Sequence, residues 1–237
     1  MKVRIKFKKY GALRFIGHLD VMRFFQKAMR RAHIPIAFTQ GFSPHMIMSF
    51  ASPLGIGLSS DAEYFDAELT EPIASDDAVR QLNEVMVEGI EVVSFVQIAE
   101  EKKMTGMAIV AAADYLVSVK EGVLPENWKE QLKSFYAQPE ISVLKQTKRS
   151  EKMVDIRPLI YKLDVQDASI FMMLAAGSVE NLKPDLVMQA FLNYINVDET
   201  TVKLHYHRVE MYADLAANDD SNFVSLESLG QNILNER

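Results

Sequence analysis

The chain opens with strict alternation. In Val3-Arg4-Ile5-Lys6-Phe7-Lys8 the apolar residues fall on one side of an extended segment and the cations on the other, the period-two pattern of a strand with one wet face. The period then changes. Val21, Phe24, Phe25, Ala28, Met29 and Ala32 recur at i, i+3, i+4, i+7, i+8 and i+11, which predicts an amphipathic helix with one continuous buried stripe. Asp20 stands where an N-cap is expected, and Pro35 ends the segment. Residues 36–39 and 46–51 predict two paired strands around the turn-rich Gln40-Gly41-Phe42-Ser43-Pro44-His45. A further strand over 64–69 leads into a helix over 76–88 that turns Val79, Leu82, Val85 and Met86 inward, and residues 90–98 form the next strand.

The same order recurs after the charged Glu100-Glu101-Lys102-Lys103. A strand over 111–120 precedes a helix over 126–136 with Trp128, Leu132 and Phe135 inward; residues 141–144 and 154–164 read as extended, and 169–174 as a strand. Pro184 suits the first turn of a helix carrying Val187, Ala190, Phe191 and Tyr194, and a last strand covers 202–212. The expected fold class is therefore α+β, with two ferredoxin-like β-α-β-β-α-β units in tandem. The expected divisions are a basic N-terminal domain over 1–103, a second domain over 104–213 and an acidic tail over 214–237.

Composition narrows the chemistry. There are 237 residues, of which 49% are hydrophobic, and no cysteine, so a folded chain is expected without disulfides, thiolate metal sites or a cysteine nucleophile. The N-terminus alternates charge where a signal peptide would carry an apolar run, and the apolar stretches 107–119 and 170–179 are too short to span a bilayer. A cytoplasmic protein with no membrane partner is the expectation. The formal charge of −6 conceals a steep asymmetry: ten Lys/Arg against Asp20 alone in residues 1–50, then Arg80 alone against eleven acids in residues 51–100. Such blocks form either a face for an anion or two surfaces that neutralise each other across the fold.

Arg23, Lys27, Arg30 and Arg31 share the polar side of the first predicted helix, and Arg4 and Lys6, with Lys2 and Lys8, line the wet face of the first strand. With Arg14, these cations are candidate phosphate contacts to RNA, such as tRNA or rRNA. Phe7, Tyr10, Phe15 and Phe42 are candidate base-stacking residues or core residues. Lys148 and Arg149, in a cationic run with Lys145 and Lys152, either extend that path or form a solvated hairpin. Arg157 either pairs with Asp155 or reads a further phosphate. A solvated face and docking to an acidic protein remain the alternatives for the stripe. His205 and His207 share a strand face, but no metal site and no cofactor is expected.

Two segments carry a resemblance: Arg14-Phe15-Ile16-Gly17-His18-Leu19-Asp20 and Gln40-Gly41-Phe42-Ser43-Pro44-His45. The chain resembles the radical-SAM-linked domain family of unknown function, found in bacteria fused or adjacent to radical SAM proteins. The resemblance continues through Phe50-Ala51-Ser52-Pro53-Leu54-Gly55-Ile56-Gly57, residues 64–69 and Val154-Asp155-Ile156-Arg157-Pro158. It implies a radical SAM protein encoded nearby as partner, because a radical SAM cluster needs three cysteines and this chain has none. It marks His18, Asp20, Gln40, Gly41, Phe42, Ser43, Pro44 and His45 as motif residues without assigning them a reaction.

His18, Asp20 and His45 leave open a catalytic reading in which an imidazole takes a 2′-hydroxyl proton, as in a metal-independent endoribonuclease. The other reading gives Asp20 a capping role and the histidines loop hydrogen bonds. No complete nucleophile, base and orienting group is legible. The leading expectation is an RNA-binding or substrate-recruiting accessory of a radical SAM enzyme, in RNA modification or processing; the endoribonuclease and a protein-only adaptor are the alternatives.

Overall fold

The computed structural model describes residues 1–146, 151–216 and 221–234. They form a mixed α+β fold of mostly antiparallel strands and divide into two compact units, Met1–Ala111 with Glu210–Arg237, and Ala112–Val209.

The first unit contains β1 (Lys2–Lys9), α1 (His18–Arg31), β2 (Met48–Phe50), β3 (Ser59–Glu68), α2 (Ser75–Asn83), β4 (Ile90–Ile98) and a single helical turn, α3 (Gly106–Ile109). Its strands pair in the order β4-β1-β3-β2, each neighbour antiparallel. The alternation in β1 decides which side is core. Val3, Ile5 and Phe7 are buried with Val21, Phe25 and Met29 of α1, as the helical spacing predicts. Four phenylalanines fill the centre: the ring of Phe25 lies 4.6 Å from Phe7 and 4.8 Å from Phe65, and Phe50 lies 5.2 Å from Phe65. Each such ring, taken from water, stabilises the fold by about 1.5–3 kcal/mol.

The opposite side of β1 is not wet. Its residues stand in register with acids and a phenol of β3, Lys2 with Glu68, Arg4 with Asp66 and Lys6 with Tyr64. Arg4 is 1% exposed. Its Nε and Nη2 donate to the two carboxylate oxygens of Asp66 at 2.8 and 3.0 Å, and its remaining donors reach the carbonyls of Leu226 and Met104. Asp66 also accepts the amide of Gly106 at 2.7 Å. A side chain at Gly106 would put its Cβ 2.9 Å from that of Ala51, so glycine is needed for this approach.

Three local expectations are corrected. Residues 36–39 make only isolated bridges, Ile36 to Leu69 and Phe38 to Met46, and the partner strand shortens to Met48–Phe50. Pro35 and Pro44 lack an amide to donate, and Gly41 takes a positive φ of 109°. α2 stops at Asn83, five residues early, because the Asn83 side chain donates to the carbonyl of Val92 and accepts its amide. α1 begins at His18 behind Gly17, so Asp20 lies in its first turn and is not the cap.

The second unit takes in β5 (Val110–Glu121), α4 (Trp128–Tyr136), β6 (Ser142–Gln146), β7 (Glu151–Asp155), β8 (Ile160–Gln166), β9 (Ser169–Ala175), α5 (Pro184–Tyr194) and β10 (Lys203–Asp214) as far as Val209. Its strand order is β10-β5-β9-β8, with β6 and β7 as a separate antiparallel pair. The extended segment expected over 154–164 is broken by a 3-10 turn at Arg157–Leu159, where Pro158 cannot continue a ladder. Phe135 of α4 packs against Phe191 of α5 at 5.5 Å. Residues of the acidic C-terminal stretch belong to the first unit: β11 (Phe223–Ser225) pairs with Tyr212–Asp214, Leu226 is buried, and Ile233 hydrogen-bonds to Ser75.

Candidate nucleic-acid interface

The stripe and the two motif segments over 14–20 and 40–45 lie on the first unit, and the structure sorts the cations of that unit into two groups. Those of β1 are engaged. Arg4 holds Asp66, Lys6 donates to Glu210 and Glu227 at 2.8 and 3.0 Å, Lys2 lies 3.8 Å from Glu68, and Lys8 lies 3.5 Å from Glu91. Burial acts to lower the pKa of Lys6, but the hydrogen bonds and charge of Glu210, with those of Glu227, outweigh it and hold the ammonium above its ordinary range. Arg4 and Lys6 are thus withdrawn from the expected cationic face. Their charges are met by acids from the oppositely charged second block of sequence and from the C-terminal stretch.

The cations of α1 are different. Arg23, Lys27, Arg30 and Arg31 are exposed, opposite the buried stripe. Arg23 lies 3.6 Å from Asp20. Lys27, Arg30 and Arg31 have no ion pair among the described residues. Just before α1, Arg14 sits with its guanidinium carbon 4.7 Å from the ring centre of exposed Phe15, and its Nε is buried with no hydrogen-bond partner among the described residues. The amide of Gly57 donates to the carbonyl of Arg14 at 2.8 Å, which holds the loop carrying exposed Ile56 against the first motif.

His18 packs edge-on against Phe50 at 4.9 Å. Its side chain faces a cavity of about 10 Å³ lined also by Lys9, Glu63, Val21 and Pro53. Lys9 is 2% and Glu63 4% exposed, and the Lys9 ammonium donates to the carbonyl of Ile16 at 2.9 Å. Burial lowers the pKa of His18, with the charge of Glu63 acting against it and that of Lys9 in the same direction. The cavity admits about one water. That is no room for a nucleotide.

The three residues of the catalytic reading have separate partners. His18 faces Phe50, Asp20 faces Arg23, and exposed His45 shares its Nδ1 and amide with Thr39 Oγ1 at 3.2 and 3.1 Å. The loop of Gln40, Gly41, Phe42, Ser43 and Pro44 is exposed, with the Phe42 ring fully in solvent. In the second unit Arg157 lies over the ring of Tyr136 at 4.0 Å and donates to its carbonyl, while Asp155 accepts the amides of Ile141 and Arg157. Arg157 is therefore a local staple. Lys148 and Arg149 lie outside the described residues. Among those described, no cluster of three or more metal-ligating side chains occurs.

A family model described as an uncharacterized protein conserved in bacteria, DUF2344, matches residues 2–184. The chain belongs to this family. No curated protein matches it. A chain in the crystal structure of a Cbf5-Nop10-Gar1 complex is similar at a TM-score of 0.44 and 12% identity over 88% of this chain, which spans 48% of that one. So distant a likeness carries no argument about function. No helix among the described residues is long and apolar enough to cross a membrane.

The match to the DUF2344 family covers both motif segments, and the buried group beside His18 went unread in the sequence. Its signal was present: Lys9 continues the inward series Val3, Ile5, Phe7, and a lysine at a core position demands a partner. Glu63 stands opposite Phe7 across β1 and β3, on the same inward face.

Proposed function

We propose that this DUF2344 protein is an RNA-binding or substrate-recruiting accessory of a radical SAM enzyme, acting in RNA modification or processing. The observation that carries the RNA part is the contrast among the cations: the fold neutralises those of β1 and leaves Lys27, Arg30 and Arg31 of α1 exposed, with no ion pair among the described residues. Paired cations have little left to offer a phosphate. Unpaired ones release condensed counterions when they contact RNA. Arg14 adds a planar guanidinium beside the exposed Phe15 ring, the pair of groups that stacks on an unstacked base.

The arrangement of each unit supports a tandem ferredoxin-like reading. The first follows β1-α1-β2-β3-α2-β4 with strand order β4-β1-β3-β2, and the second follows β5-α4-β8-β9-α5-β10 with order β10-β5-β9-β8 and the β6-β7 pair inserted. The radical SAM association rests on the motif resemblance alone.

The test is filter binding of tRNA, a 12-nucleotide single-stranded RNA and a duplex of equal length, with a co-purification arm using the radical SAM protein encoded nearest. Salt-sensitive RNA binding supports the reading. Absence of RNA binding at 50 mM salt overturns the RNA part, and capture of the enzyme without RNA binding leaves a protein adaptor. RNA cleavage in chelator that is lost in His18→Ala favours the endoribonuclease.

A further inference from the structure

The second unit carries a feature that the RNA reading does not use. An open groove of about 1160 Å³ runs beside α5 and the β6-β7 pair. That volume exceeds the range of about 300–1,000 Å³ usual for small-molecule sites, and an open groove of this size suits a chain segment. Its floor is apolar, with Ile141, Val143, Ile156, Leu182, Met188 and Leu192 all buried. Its rim is polar and includes three carboxylates, Glu140, Asp185 and Glu199.

Among the described residues the acids are not dispersed by ion pairs. Glu199 accepts from the neutral Gln189 at 3.1 Å, Asp185 accepts the amide of Leu186 at 2.9 Å, and Glu140 accepts the Ser142 hydroxyl. Of the two lysines on the lining, Lys203 is held by Glu121 at 2.9 Å, leaving Lys183. Tyr206 lines the groove, and its phenol is pushed above the ordinary range by burial first and then by the charges of Asp185 and Glu199. Asp185 and Glu199 both line this groove, where an incoming cation lowers the cost of holding their charges.

We infer that this groove is a docking site for a segment of a partner protein that presents apolar side chains together with Lys or Arg, in the manner of an amphipathic helix laid in a groove. Apolar residues fill the floor between α5 and the β6-β7 pair, and the cations meet the rim carboxylates Asp185 and Glu199. The inference is independent of RNA binding by α1, since it concerns other residues of the other unit and a ligand of opposite charge.

The experiment uses the full chain and a fluorescein-labelled 16-residue Leu/Lys amphipathic peptide, with a Leu/Glu peptide of the same pattern as control. Fluorescence anisotropy reads affinity, and the 13C-methyl signal of Met188 reads location, with Met29 of the first unit as reference. The expected result is saturable binding of the Leu/Lys peptide that shifts Met188 and leaves Met29 in place. Asp185→Asn with Glu199→Gln weakens it about fivefold, as expected for two partly exposed charge pairs. Because the whole protein is acidic, Glu71→Gln with Glu88→Gln changes net charge by the same amount at exposed positions of the first unit, and binding is expected to stay within twofold. Equal loss in the two double variants would mean attraction to net charge alone and would overturn the inference. So would equal binding of the Leu/Glu peptide, an unmoved Met188, or a concentration-dependent dimer that closes the groove in sedimentation.

Discussion

Replacing Lys27, Arg30 and Arg31 by alanine removes the three α1 cations that have no ion pair among the described residues. For single-stranded RNA, log affinity falls with log salt by about 0.7 per phosphate neutralised. If each cation meets one phosphate, the slope decreases by about 2. At 0.1 M monovalent salt the same three contacts are worth about two decades, roughly 2.8 kcal/mol; at 0.5 M they are worth only about fourfold. The variant must remain folded for this to mean anything, and it is expected to do so, because exposed substitutions away from caps and cores change stability by about 0.5 kcal/mol or less. Filter binding at four salt concentrations, with urea unfolding alongside, reads both quantities. A control with Lys102, Lys133 and Lys162 changed to alanine removes equal charge at exposed positions elsewhere and is expected to leave the slope within about 0.5. Unchanged affinity in the folded triple variant, or an equal slope change in the control, would refute the assignment of RNA to α1.

Changing Asp66 to Asn leaves the Arg4 guanidinium buried against a neutral side chain; a loss of about 3–5 kcal/mol is expected in urea unfolding, with faster hydrogen exchange at Gly106, whose amide Asp66 accepts. A stability change below 1 kcal/mol would show that the pair is dispensable. His18 is expected to titrate below 6.5 by NMR. Its unfolded form binds the proton more readily, so stability is expected to be full above about pH 6.5 and to fall as pH drops below that value, and His18→Gln should flatten this part of the profile. Gly122 adopts a φ of 85°, and a Cβ there would collide with the Thr201 carbonyl oxygen; Gly122→Ala is expected to cost at least about 1 kcal/mol in thermal unfolding.

The sequence pattern was most legible where one residue type answered to one environment. The i, i+3, i+4 series of α1 needed only a flat apolar surface to meet, and β1 supplied it with Val3, Ile5 and Phe7. Alternation in β1 correctly separated two faces but not their fates. Whether Arg4 and Lys6 meet water depends on Asp66, Glu210 and Glu227, up to 221 residues away, and no local period encodes such partners. Residues 36–39 had the composition of a strand, but their ladder depended on a turn held by Gly41 and Pro44. The end of α2 turned on one asparagine that prefers the backbone of β4 to another turn of helix. The groove of the second unit was invisible for a simpler reason: its apolar floor reads as ordinary core until the elements beside it are known.

Some of the α1 stripe is explained without RNA. Arg30 and Arg31 occupy the last turn, where the helix dipole favours cations by about 0.3–1 kcal/mol, so their presence alone is weak support for a nucleic-acid face. Lys27 lies a turn earlier and Arg23 two turns earlier, where that effect has faded, and Arg23 is drawn instead toward Asp20. The informative residues are therefore Lys27 and Arg14, since helix-end electrostatics accounts for neither. Arg14 lies outside α1, with a buried Nε that has no partner among the described residues. A helix-end role predicts that Lys27→Ala and Arg14→Lys leave RNA affinity untouched while Arg30→Ala destabilises α1. An RNA face predicts the reverse order, with Arg14→Lys weakening single-stranded RNA more than duplex because the lysine keeps the charge but loses the planar group that lies over Phe15.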